Sequence, residues 1–216
     1  MTVATMLSQL GEGMLTSISI FLLTLVGSLP LGFIVAFGRM SKNPIISWIT
    51  RIYISIMRGT PLMLQLLVVY FGPYYLLHIS VSRGYRFWAV IIAFVINYAA
   101  YFAEIYRGGI QAIPKGQREA AEVLGYTRSQ TFFRIVLPQV IKRILPSVTN
   151  EVITLIKDTS LSFSIAVSEM FTVAKAIASS QKSMMSFVAA GIFYYVFNFI
   201  VAALMERCEK ALSYYN

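Results

Sequence analysis

Stretches of apolar residues close to twenty long recur along this chain of 216 residues, and they restrict it to very few folds. A helix rising about 1.5 Å per residue needs roughly twenty such residues to cross a hydrocarbon layer near 30 Å thick. Inside that layer the backbone must satisfy its own hydrogen bonds, which leaves helices and closed barrels. Barrel strands are shorter and alternate in polarity, so the pattern predicts an all-α, polytopic membrane protein of about five transmembrane helices. Hydrophobic residues make up 57% of the chain and charged ones 12%, far from soluble usage.

The first apolar segment runs from about Met14 to Phe37 and contains Pro30. Ile45 to Met57, interrupted by Arg51, reads as an interfacial stretch that leads through Gly59-Thr60-Pro61 into a second span, Leu62 to Leu77. After a polar link, His78 to Arg86, the third span covers about Phe87 to Tyr106. A polar block at about 107–146 follows, then a fourth span from Ser147 to about Val167. Ser168 to Ser186 reads as an amphipathic excursion before a fifth span, Phe187 to Met205.

The net charge of +9 is distributed unevenly. Arg39, Lys42, Arg51, Arg58, the seven basic residues of the polar block, Arg207 and Lys210 fall on one side of the bundle, against Arg83, Arg86, Lys175 and Lys182 on the other. Positively charged loops stay inside, which predicts an outer N-terminus, a cytoplasmic C-terminus and an odd number of spans. Orientation accounts for the basic residues, so nucleic acid is not an expected partner, whereas membrane lipid is. With no basic residue in the first thirteen positions, no cleaved leader is expected.

Catalytic chemistry finds little to work with. The single Cys208 and single His78 cannot build a metal site or a nucleophile–base pair of the usual kinds, and there is no H-E-x-x-H, G-x-S-x-G or phosphate-cradling G-x-x-x-x-G-K-[ST] stretch. No catalytic, metal or cofactor residue is expected, and any ATP-driven work requires a partner.

The polar block has local structure of its own. Pro114 suits a helix start, Gln117 to Leu124 are helix formers, and Gly125 fits the left-handed position beyond a helix end. Thr127 or Ser129 then caps a second helix that reaches Ile135 and closes before Pro138. Glu119-Ala120-Ala121, three residues, Gly125, nine residues, Ile135, one residue, Leu137-Pro138 resembles the EAA motif of membrane subunits of bacterial ATP-binding-cassette importers. Arg58-Gly59-Thr60-Pro61-Leu62, Ala103 to Ile110, and Lys157-Asp158-Thr159-Ser160-Leu161 are similar to landmarks of its polar amino-acid branch, the histidine/glutamine permease-like group, so the likeness spans about residues 14–210.

The resemblance implies a type I importer permease, with 1–216 as one transmembrane domain in the cytoplasmic (inner) membrane of a bacterium. It implies as partners a second permease copy or paralogue, two cytoplasmic ATPase subunits that bind ATP and Mg, and an extracellular binding protein. In that family the helix around Glu119 and Gly125 enters a cleft on the ATPase. The expected docking residues are therefore Arg118, Glu119, Ala120, Ala121, Glu122 and Gly125.

Ionisable groups within spans are costly, at least about 2.5 kcal/mol each, and those present usually face a bundle interior or a wet path. Glu151 and Asp158 are seven positions apart, on one helix face, and Asn97, Tyr101 and Glu104 have similar spacing on the third span. Lys157 is placed to neutralise Asp158, and Glu104 to pair with Arg107. Glu151 has no such partner on its own span. It is expected, with Asn97, Tyr98, Tyr101 and Asp158, to contact an amino-acid substrate, with arginine, lysine or histidine favoured over glutamine-like cargo because carboxylates repel anions. An ion-coupled secondary transporter or channel is the alternative, weakened by the absence of a convincing internal repeat.

Overall fold

The computed structural model describes residues 2–80, 82 and 84–212; Arg83, counted above with the outer basic residues, lies outside them. Nine α-helices, and no strand, form among the described residues. The first, α1 (Val3–Arg39), is 37 residues long, begins where the Thr2 hydroxyl accepts from the Thr5 N–H, and passes through Pro30. It extends well beyond the apolar core of Met14 to Phe37, because polar helix formers continue the backbone ladder on both sides.

Asn43 caps α2 (Pro44–Gly59), with its side-chain oxygen 2.9 Å from the Ile45 nitrogen. Thr60 is extended, as a residue before proline prefers, and α3 (Leu62–Leu77) departs at 110° from α2. Next comes α4 (Tyr85–Gln111), buried on nearly every side, and then the short helices α5 (Lys115–Val123) and α6 (Arg128–Thr131). A π-helical turn, Phe132–Val136, joins α6 directly to α7 (Leu137–Asp158).

Here the expectation needs correction. The second helix of the polar block does not close before Pro138, and the fourth span does not begin at Ser147. Pro138 lies in the first turn of α7, where its missing N–H is tolerated, and the π turn takes up the misfit just before it. Pro146 is likewise absorbed inside α7. Beyond Asp158 the chain tightens into a 3₁₀ segment, Thr159–Ile165, before α8 (Met170–Gln181) and α9 (Met185–Ala211).

The stretch read as an amphipathic excursion is also part of the interior. Met170, Ala174 and Ile177 of α8 pack with Met6, Leu10 and Met14 of α1, and with Ala189 and Ala190 of α9. By length and composition three helices, α1, α4 and α9, can cross a membrane alone; counting the two bent pairs as single spans gives up to five.

The centre is the contact of α1 with α4. Between apolar helices in lipid, close packing does more than the hydrophobic effect, and small residues permit it. A Cβ added at Gly32 would come within 2.8 Å of the Phe102 Cβ and 3.0 Å of the Ala99 oxygen, and one at Gly27 within 2.7 Å of Val95. Gly109 of α4 meets Ile144 and Val140 of α7 in the same manner. Gly108, in contrast, has nothing within 4 Å. Gly32→Ala is therefore expected to destabilise the bundle by about 1–3 kcal/mol through overpacking, while Gly108→Ala leaves it unchanged or slightly firmer. Thermal unfolding of the two detergent-purified variants checks the contrast; equal melting would refute it.

Candidate functional site

The ends of α2 and α7 and the middle of α4 bring together a polar cluster. Tyr98 of α4 is buried, and its hydroxyl donates to the Asp158 Oδ2 at 2.7 Å, at the last residue of α7. Two turns back along α7 is Glu151, partly buried and within Coulombic reach of both Asp158 and Arg58. The Arg58 guanidinium, near the end of α2, lies 5.3 Å from the centroid of the Tyr101 ring, itself 6.2 Å from that of Tyr98. Two carboxylates, two phenols and one guanidinium thus face one another between α2, α4 and α7. Lys157 acts on Asp158 through charge at longer range, as expected, and Tyr98 makes the direct hydrogen bond to the carboxylate.

Asn97 is placed differently. Its amide donates to the Met57 oxygen at 3.0 Å and to the Gln65 Oε1 at 2.9 Å. Gln65 in turn donates to the Met57 and Thr60 oxygens and to the Thr60 hydroxyl. This network supplies hydrogen bonds to the backbone at the break between α2 and α3, and so positions Arg58. Glu104, expected in the same row, is taken up by Arg107 in a two-pronged ion pair at 2.6 and 3.0 Å, as the i+3 spacing predicted.

Sequence reasoning passed over Arg58 and Glu169. The first had its signal in the Arg58-Gly59-Thr60-Pro61 break, which stops a helix with a cation at its end. Glu169 was hidden in a stretch read as an amphipathic excursion. It is fully buried, accepts from the Phe171 and Thr172 amides as the cap of α8, and accepts from the hydroxyls of Thr172, Tyr194 and Ser17.

The second functional element is the α5–α6 hairpin. Gly125 has φ +78°, its N–H reaches the Glu122 oxygen, and the Tyr126 N–H reaches the Ala121 oxygen: the paired bonds of a Schellman cap. Thr127 and Gln130 then form a reciprocal capping box for α6. Of the expected docking residues, Arg118, Glu119, Ala120, Glu122 and Gly125 are exposed, whereas Ala121 is buried at the base of the hairpin. Arg118 is also braced to α4, donating to the Ile110 oxygen. Val123 and Leu124, 88% and 74% exposed, form an apolar tip beside Gly125 that the sequence reading had not singled out.

A polar cluster thus lies between α2, α4 and α7, and a capped hairpin leads into the other end of α7. Residues 28–214 match the family described as binding-protein-dependent transport system inner membrane components, and the chain belongs to that family. It is 39% identical over 209 residues to an octopine transport system permease protein of Rhizobium radiobacter, covering 92% of this chain and 85% of that protein. Identity to an arginine transport system permease protein of Bacillus subtilis is 36%, covering 94% and 91%. Among solved structures, an amino acid ABC transporter with histidines superposes with a TM-score of 0.87 at 29% identity, covering 98% of this chain and 100% of that one. The inward-facing MetNI methionine ABC transporter shares the fold at a TM-score of 0.78 and 16% identity.

The protein is accordingly a multi-pass ABC-importer permease, not an enzyme; members of its family work with separate ATPase subunits and binding proteins. Replacing Asn97 with Leu takes the Asn97 donor from the Gln65 Oε1 and leaves the Met57 oxygen with Gln65 alone. The expected loss is about 1–3 kcal/mol of stability, seen as a lowered melting temperature in detergent, and a variant as stable as the native chain would show the clamp to be dispensable.

Proposed function

We propose that this chain imports polar amino acids, arginine, lysine and histidine ahead of glutamine-like ones, by alternating access. The observation that carries the proposal is Glu151, within Coulombic reach of both Asp158 on its own helix and Arg58 on α2, towards one end of a helix whose other end holds the docking hairpin. A cationic side chain or ammonium suits the two carboxylates, and the α-carboxylate of the same substrate suits Arg58. Tyr98 fixes Asp158, Tyr101 holds Arg58 under its ring, and Asn97 acts from beneath through the α2–α3 break. The arginine and octopine relatives support a basic cargo.

In the same reading, Arg118, Glu119, Ala120, Glu122 and Gly125 dock on one of two cytoplasmic ATPases, which bind ATP and Mg, with Ala121 packing the hairpin behind them. A second permease copy or paralogue completes the pathway, and an extracellular binding protein delivers the substrate. The site is placed in a bacterial cytoplasmic membrane with the hairpin inside.

Glu151→Ala removes a charge-assisted hydrogen bond, about 1.5–3 kcal/mol, and so lowers arginine uptake by roughly ten- to a hundred-fold, with the ATPase still co-purifying. Unaltered affinity and rate for arginine, lysine and histidine would exclude this role. Orientation has its own test. In a Cys208→Ser background, Val123→Cys is expected to react with a membrane-impermeant maleimide only in inside-out vesicles; labelling in intact cells would reverse the assignment.

A further inference from the structure

We propose that the hairpin end of the bundle holds a binding site for the headgroup of an anionic phospholipid. A cavity of about 840 Å³ opens there between the base of α5, the π turn, the first half of α7 and the end of α9. Arg134, Lys142 and Arg143 line it, and no acidic residue does among the described residues. Arg143 is pinned to the wall by donating to the Ala112 oxygen at 2.9 Å. Neither Arg134 nor Lys142 has an acidic partner within ion-pair distance among the described residues. Pro138, Pro146 and Leu212 supply an apolar side to the same cavity.

Depth points to lipid. Thr149 of α7 donates to the Glu209 Oε1 at 2.6 Å, so the cavity begins just beyond the level at which α9 becomes charged at Glu206, Arg207, Glu209 and Lys210. That change in polarity marks the edge of the hydrocarbon. Lys142 and Arg143, about two turns from Thr149, thus stand near headgroup depth, with Arg134 farther out along the same rod, and basic pockets between helix ends at this level suit anionic lipid phosphates. A phospholipid uses both features, its phosphate on Lys142 and Arg143 and its glycerol and upper acyl chain along the apolar side. Free phosphate would leave that side in water, and an acidic protein surface would not need it.

Native mass spectrometry of the delipidated permease–ATPase assembly tests this with added phosphatidylglycerol, phosphatidylcholine or inorganic phosphate. Phosphatidylglycerol is expected to be retained over phosphatidylcholine, and Lys142→Gln/Arg143→Gln to weaken its binding roughly thirty-fold, about five-fold per charge. Arg51→Gln, an exposed cation on α2, serves as the control and leaves it unchanged. Melting temperatures of the variants separate lost binding from lost folding. Equal retention of the two lipids, or a double variant that holds phosphatidylglycerol like the native chain, overturns the proposal. So does inorganic phosphate binding as tightly as the lipid, or a double variant that sheds the ATPase while keeping its lipid.

Discussion

A bilayer offers no hydrogen-bond partner to a broken helix, and the rest of the structure is organised by that constraint. The interruptions lying among the spans are met by side chains from elsewhere in the fold. Asn97 and Gln65 serve the carbonyls freed at Thr60-Pro61. Where the 3₁₀ segment ends at Ala166, in a left-handed conformation, Arg86 donates to its carbonyl at 3.2 Å. The first amides of α8 find Glu169. The repairs by Asn97 and Arg86 are long-range and tie α4 to other segments, whereas Gln65 and Glu169 act within a few residues of the breaks they serve.

One of those breaks shapes the polar cluster. Arg58 sits where α2 stops, and from there its guanidinium reaches the Tyr101 ring of α4 and lies within Coulombic reach of Glu151 on α7. The cluster is joined to the hairpin by α7 itself. Because the π turn absorbs Pro138 without ending the helix, one nearly continuous rod runs from the capping box at Thr127 to Asp158. The hairpin and the cluster are therefore coupled through the backbone of a single rod.

Much of this was legible beforehand. Membrane residence, helicity and the presence of several spans follow from run length, and the turn at Gly125 and the cap at Thr127 from backbone preferences that depend on neighbours a few residues away. The pairing of Glu104 with Arg107 is equally local. Misreadings arose where a local rule met a tertiary partner. Pro138 looked like a stop, yet a π turn accommodated it; the stretch holding Glu169 read as an amphipathic excursion, yet Ser17 and Tyr194 enclose its carboxylate; Lys157 acts on Asp158 as expected, yet the direct hydrogen bond comes from Tyr98 on another span.

What the amino-acid order determined alone is the solvent the chain lives in, its helical class and the shape of the hairpin, since hydropathy, propensity and capping act over a few turns of one helix. Only the tertiary structure decided that Asn97 clamps a break, that Arg58 faces Glu151 and that α8 lies inside. Those outcomes depend on which helices approach closely, and that is set by matching small residues such as Gly32 against Ala99 and Phe102 across distances that no local pattern encodes.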